Sequence, residues 1–460
     1  MFDWLKNLFN RVRRTAIPES TIEKTFGVTP ALSKTMEDNI ALWYAMYTNR
    51  PPWESCDIRP LGLPGAIGRE LSRHTFTEFN MTVSGGARGD FLNEQIQRAK
   101  KGFKNELELG LCLGGIALRP MPDGNRILID ATTPAAFSPT EFDGTGRATA
   151  GVFKELARQG KEYYVRLEYH GFERTEDGDP VYVIRNRAFK SDKDGSIGAE
   201  ARLTDVSGWA DLQSETVIEG LSRPLFAYFK PPIGNDIEPA SQVGVSVYGG
   251  ATVELIRQAD EQWERIWWEY KSGERKIIAD DGVDDTQLDH RLFITGNFTS
   301  EGNLFEQFSP AFRDDPLYKG FQRILQRIEF NVGLSYGTIS DPQTVEKTAT
   351  EILAAKQRQY ATEGDIQEAF QDVLDDLLYA MDMYCDLYRL APAGGYEVVY
   401  NWGDGVLDDP ETRRQDKAMD LQEVSAGLMQ PWEYRMKWKG EDEETAKAAL
   451  PGTEDLVSGS

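Results

Sequence analysis

The chain has 460 residues, 40% of them hydrophobic and 11% aromatic, which is enough apolar material for more than one packed lobe and too much for a disordered chain. Its formal charge of −24 excludes a protein that grips nucleic-acid phosphates through a lysine and arginine excess, though not one that must let a polyanion pass without sticking. The three cysteines, Cys56, Cys112 and Cys385, are odd in number and widely spaced, which argues against a disulfide framework or paired zinc ligands and points to a reducing compartment.

Residues 2–14 predict a short amphipathic helix. Phe2, Leu5, Leu8, Phe9 and Val12 share one side, with Lys6, Arg11, Arg13 and Arg14 elsewhere and Pro18 as its end. Such a helix lies on a membrane surface or, more simply, docks on its own protein or a partner. Asp3 and the lack of a continuous apolar run argue against a signal peptide, and no later run approaches the length of a membrane span. No stable membrane association is expected.

A second helix is predicted over 35–48, stopped by Arg50-Pro51-Pro52. From about 75 to 240 the pattern changes to alternating runs, RILIDATT, YYVRLEYHGF and PVYVIRNRAF, separated by turn clusters such as EDGD. This predicts an antiparallel sheet region, with a helix over 91–109 ahead of LCLGGIAL. Asp192-Lys193-Asp194-Gly195-Ser196 glances at a calcium loop, but Ile197 stands where the loop needs glycine and Leu203 where it needs glutamate, so it reads as a turn. Arg88-Gly89-Asp90 matches an adhesion tripeptide that arises often by chance.

Three helical segments come next. Over 249–272, Val253, Ile256, Ala259, Trp263, Ile266, Trp267 and Tyr270 fall on one stripe, while Glu254, Glu261, Glu264 and Glu269 lie largely off it. Over 316–332, opened by Pro316, the stripe is Leu317, Phe321, Ile324, Ile328 and Val332. A very long helix is expected over 348–389, with Thr348 and Glu351 as its capping box, a seam of Ile366, Phe370, Val373, Leu377, Met381, Tyr384 and Tyr388, and Gly364 as a possible kink. Between the first two lies a small strand-and-turn insertion with an acidic knot at Asp280, Asp281, Asp284 and Asp285. A strand over 396–402 and an acidic, helical tail complete the chain.

Gly333-Leu334-Ser335-Tyr336-Gly337 spells G-x-S-x-G, the pattern of a hydrolase nucleophile elbow. That elbow needs a strand before the serine, a helix after it, and in the α/β-hydrolase arrangement a later histidine. Here a helical stripe precedes Ser335, Asp341-Pro342 breaks any helix directly after it, and His74, His170 and His290 all lie upstream. There is no Walker A pattern and no G-x-G-x-x-G after a strand, and the scattered histidines suggest no metal cluster. Neither catalytic residues nor a cofactor are expected. Ser335 reads as a turn residue between two helices, with an intracellular hydrolase using Ser335 as the alternative.

The order of parts resembles the portal proteins of tailed double-stranded DNA bacteriophages, especially the long-tailed branch. The similarity is carried by GVSVYGGATVELIRQADEQWERIWWEYKSGERKIIADD, by GLSYGTISDPQTVEKTATEI entering the long helix, and by YEVVYNWGDGVLDDPETRRQD and SAGLMQPWEYRMKWKGEDEETAKAAL. It implies an α+β, portal-type fold. A mixed wing would occupy 1–244, stem helices 245–272 and 316–332, a clip 273–315, a tunnel loop 333–347, a long wing helix with its returning strand 348–404, and a helical crown 405–460. It also implies a homo-oligomeric ring, usually a dodecamer, at one capsid vertex of the virion, assembled in the host cytoplasm. Implied partners are the terminase large subunit, head-completion or adaptor proteins, the major capsid and scaffolding proteins, and double-stranded DNA moving through without sequence specificity. Tyr336, Thr338, Ser340, Gln343 and Thr344 would then face DNA or form a solvated hinge, and the acidic knot would line the channel or meet a partner. Another structural virion protein, such as a minor head component, shares these general features.

Overall fold

A computed structural model describes residues 17–191, 197–272, 276–280, 293–296, 305–308, 313–342, 349–403, 410–439 and 443–448. The expected helix over 2–14 and the turn at 192–196 lie outside them. The chain divides into two compact units, 1–402 and 403–460. With 46% helix and 22% strand, and strands that pair antiparallel in every sheet except for one parallel pair in a small insertion, the fold is α+β.

The first unit opens with helices α1 (Glu19–Phe26), α2 (Lys34–Tyr47) and α3 (Leu63–Thr75). Pro18 stands directly before α1 as its N-cap. Its fixed φ of −61° suits a helix entrance. Ser33 caps α2 by accepting from the Met36 amide. Strand β1 (Asn80–Ser84) leads into α4 (Gly86–Leu113), which is longer at both ends than its hydrophobic pattern suggested. The Arg88 of the adhesion-like tripeptide is buried. Its guanidinium pairs with Asp382 and Asp386 and donates to the carbonyls of Asp382 and Pro392, so it ties α4 to the far end of the long helix.

Strands β2 (Ile116–Asp123) and β3 (Arg126–Thr132) join the later β10 (Ala227–Phe229) in one sheet. A second sheet runs β4 (Phe137–Phe142), β5 (Ala148–Gln159), β6 (Glu162–Arg174), β7 (Pro180–Ser191) and β8 (Ala199–Ala201), with β9 (Glu215–Glu219) also on β7. Alternation along β6 separates two buried faces. Val165, Leu167 and Tyr169 pack with Ala150, Val152, Val181, Val183 and Ile22 of α1. Arg166, Glu168 and His170 point the other way and form a buried polar network. Glu168 accepts from Arg119 at 2.6 Å, from His170 Nε2 at 2.6 Å and from Arg166. His170 Nδ1 meets Tyr182 Oη at 2.9 Å, and Tyr182 in turn accepts from the Leu225 amide. Arg166 also pairs with Glu155, its direct cross-strand neighbour.

Helices α5 (Ala251–Ser272), α6 (Asp314–Val332) and α7 (Ala349–Tyr388) come after the sheets, with strands β11 (Lys276–Asp280), β12 (Phe293–Gly296) and β13 (Phe305–Phe308) forming a small sheet between α5 and α6. The helix α7 has 40 residues, roughly 60 Å at 1.5 Å per residue, and continues through Gly364. Its expected seam is buried from Ile366 to Tyr384, whereas Tyr388 is exposed. Strand β14 (Glu397–Asn401) pairs antiparallel with β1, joining segments from opposite ends of the unit. The second unit holds, in order, α8 (Pro410–Ser425), a turn at Gly427, α9 (Pro431–Lys439) and α10 (Glu443–Ala448). Asp420 accepts from Trp438 at 2.7 Å and pairs with Lys437.

The network around Glu168 makes stability pH-dependent. Burial alone would push Glu168 up, but Arg119, His170 and Arg166 outweigh it and hold the carboxyl well below the usual range. Burial, opposed by Glu168, lowers His170, so the folded ring stays neutral where the unfolded one protonates. Acidification through the ordinary histidine pKa of about 6.5 therefore favours the unfolded chain. Glu106, pushed up to about 7 by burial, acts in the opposite sense. The readout is accordingly a difference: between about pH 7.5 and pH 5.5 the melting temperature of His170→Gln should fall less than that of the parent chain.

Candidate functional site

The helices α5 and α6 form an antiparallel hairpin. Asn331 donates to Thr252 Oγ1 at one end, Gln262 to the Leu317 carbonyl midway, and Arg313 pairs with Glu269 at 2.9 Å at the other end. The rings of Trp263 and Phe321 meet between them at 5.3 Å, tilted by 43°. Glu269, expected off the buried stripe, is thus packed inside the hairpin, while Trp267 and Tyr270, expected on it, are exposed. Their rings meet edge to face at 6.3 Å near the end of α5.

At the end of α6, Gly333 adopts φ +78°, and its amide closes the last helical turn on the Glu329 carbonyl. A Cβ here would stand 2.2 Å from Thr362 Oγ1 of α7, so both backbone conformation and space demand glycine. Gly337, at φ +91°, makes the second reversal. The glycines of G-x-S-x-G therefore have a mechanical origin.

The turn is held by Glu329, whose side chain is completely buried. Its carboxylate accepts from the amides of Gly337 at 3.1 Å, Ile339 at 2.6 Å and Ser340 at 2.8 Å, and from Ser340 Oγ at 2.8 Å. Several charge-assisted bonds from one strand of backbone offset the cost of burying the charge. Two further side chains of α6 fix the exit. Gln322 accepts from the Asp341 amide, and Tyr318 donates to Asp341 Oδ2 at 2.5 Å. From α7, Gln359 accepts from the Ser335 amide and donates to Glu363 at 2.7 Å.

Ser335 comes after a helix rather than a strand. Its Oγ is buried, with no hydrogen-bond partner among the described residues. The His74 ring stands 3.6 Å from Glu70 and 3.7 Å from Glu363. Among the described residues Ser335 thus makes no serine–base contact of the kind that activates a nucleophile, and His290 lies outside them. Among the described residues no cluster of histidine, cysteine, aspartate or glutamate is placed to hold a metal ion, and no helix is long and apolar enough to cross a membrane.

Of the residues expected on the loop, Tyr336 is exposed, and Thr338 is half-buried with its hydroxyl on the Ser335 carbonyl. Ser340 is buried against Glu329, so its hydroxyl fixes the turn instead of facing outward. Gln343, Thr344 and Thr348 lie outside the described residues. So do Asp281, Asp284 and Asp285, whereas Asp280 closes β11. Sequence reading missed Glu329 and Gln359, which look like ordinary polar positions on helices. It also missed Phe330, whose ring is approached by the guanidinium of Arg358 at 4.1 Å and by that of Arg327 at 5.0 Å. The only local hint was a glutamate inside an apolar stripe, with no partner in sequence reach. Neither the family models scanned nor the curated proteins searched contain a match to this chain.

Two substitutions test the turn. Glu329→Ala strands three amides and a hydroxyl, so it should cost about 3 kcal/mol in denaturant unfolding and expose the Gly337 and Ser340 amides to rapid hydrogen exchange. Gly333→Ala should destabilise by a similar amount, about 2–4 kcal/mol, through the clash and the left-handed backbone. Adding Thr362→Ala should recover only part of that loss, because the backbone strain remains.

Proposed function

We propose that this chain is a portal protein of a tailed double-stranded DNA bacteriophage, a ring-forming channel subunit through which the genome is packaged and ejected. The observation that carries the reading is the succession of helix, small three-stranded insertion, helix, glycine-bounded turn and 40-residue helix, and then a strand that returns to pair near the start of the same unit. Long helices with exposed outer faces suit a wall built from repeated copies better than a closed pocket. The turn supports the same reading: it is braced from within by Glu329, so Tyr336 is presented on a fixed support rather than a slack loop. The overall charge of −24 would limit trapping of a moving duplex, since wall repulsion acts within a screening length of about 8 Å at physiological salt.

On this reading the insertion between α5 and α6 is the clip that meets the packaging motor and head-completion proteins. The ring stands at the portal vertex of the virion after assembly in the host cytoplasm with capsid and scaffolding proteins. Electron micrographs of the purified chain should show rings with a central hole. Native mass spectrometry should give a mass near that of a dodecamer of the 51.8 kDa chain. Ser335→Ala should leave the rings intact. A monomer or dimer that hydrolyses esters and loses that activity on Ser335→Ala would replace this reading with a hydrolase.

A further inference from the structure

The outer face of α6 is basic in an otherwise strongly acidic chain. Lys319, Arg323 and Arg327 recur at every fourth position there, all exposed. Lys319 pairs with Asp315 one turn away, and Arg327 lies over Phe330. Among the described residues neither Arg323 nor Arg327 has a carboxylate partner. The outer face of α5 carries Glu254 and Glu261 on one line with Trp268, and Glu264 beside them. Arg257 bridges Glu254 and Glu261, and Arg265 reaches Gln262, so the face keeps a carboxylate excess. Trp268 is 65% exposed at the end of that line.

The hairpin contacts set the relative heights of these groups. With Asn331 on Thr252 and Leu317 on Gln262, Glu254 stands near the height of Arg327 and Glu261 near that of Lys319, with Arg323 between the two. Rotation about an axis parallel to the hairpin preserves height. A head-to-tail ring would therefore bring each carboxylate opposite a cation of the next copy. It would also bring Trp268 toward the ring of Pro316, at the start of α6.

We propose that the basic face of α6 docks on the acidic, tryptophan-ended face of α5 in a second copy of this chain, each hairpin supplying opposite halves of one repeating interface. This rests on the ring reading. It names the side chains that give the ring its direction, because like faces repel and only unlike faces pair.

The test uses two full-length variants, Arg323→Glu/Arg327→Glu and Glu254→Arg/Glu261→Arg, examined by native mass spectrometry and electron microscopy. Each alone sets like charges against each other and should lower the ring fraction more than about tenfold, since such juxtaposition costs several kcal/mol. Mixed in equal amounts, they should restore rings with alternating subunits, because every interface then joins unlike faces. Should a reversed variant melt early, Arg323→Gln/Arg327→Gln should instead give weaker rings with a smaller response to added salt than those of the parent chain. Failure of the mixture to form rings, with both variants melting like the parent chain, would overturn the proposal while leaving the ring reading intact. Rings from Arg323→Glu/Arg327→Glu that lose retention of a double-stranded DNA duplex would overturn it in favour of phosphates as the occupant of the stripe. A parent chain that forms no ring removes the ring reading and the proposal together.

Discussion

One buried carboxylate decides how two long helices of this protein are joined. Glu329 lies on the last turn of α6, turned inward, and takes four donors from the segment that leaves the helix. A turn held from beneath by a charge cannot relax without leaving that charge unsatisfied in a low-dielectric interior, where the penalty is large. The glycines serve the same end. Gly333 lets α6 stop against Thr362 of α7, and Gly337 reverses the chain so that its amide can reach the carboxylate. Between them Ser335 contributes its backbone to both sides, to Gln359 through its amide and to Thr338 through its carbonyl, while its hydroxyl meets no partner among the described residues. A sequence pattern shared with hydrolases is thus accounted for by packing and hydrogen bonding.

The six-stranded part of the fold obeys a related rule. Its central strand β6 buries apolar residues on one face and an arginine, glutamate and histidine on the other. Such a network is seldom more stabilising than an apolar core of the same shape, but breaking it is costly because charges are left without partners. Its value here is positional. Arg166 faces Glu155 across the strand pair, and Arg119 reaches in from β2, so a slip of one residue in register would place apolar groups among charges and charges among apolar groups.

Periodicity made most of the long helices legible. The stripes over α2, α5, α6 and α7 are local repeats of apolar residues, and the structure places these helices within a residue or two of the expected ends. The alternating runs of β3, β6 and β7 were equally clear. Helix α3 escaped notice because Pro64, Gly65 and Gly68 lower its local propensity, and only packing of Ile67 and Leu71 into the core makes it helical. Trp267 and Tyr270 illustrate the reverse error. Spacing put them on the buried stripe, but the structure leaves both exposed and buries Ile266 and Glu269 of the same turn instead.

The sequence by itself determined the helical and extended segments, the acidic character and the glycine-bounded break after α6, because those properties depend on residues close together in the chain. Only the tertiary structure decided what the break is made of. Glu329 meets amides beyond the end of its own helix, Gln359 reaches Ser335 from α7, and Arg88 joins Asp382 across most of the unit. Such contacts arise between side chains whose local surroundings carry no sign of the partner. Ser340 shows the consequence: its sequence neighbours suggest an exposed polar loop, and its three-dimensional neighbour, a buried carboxylate, turns it inward.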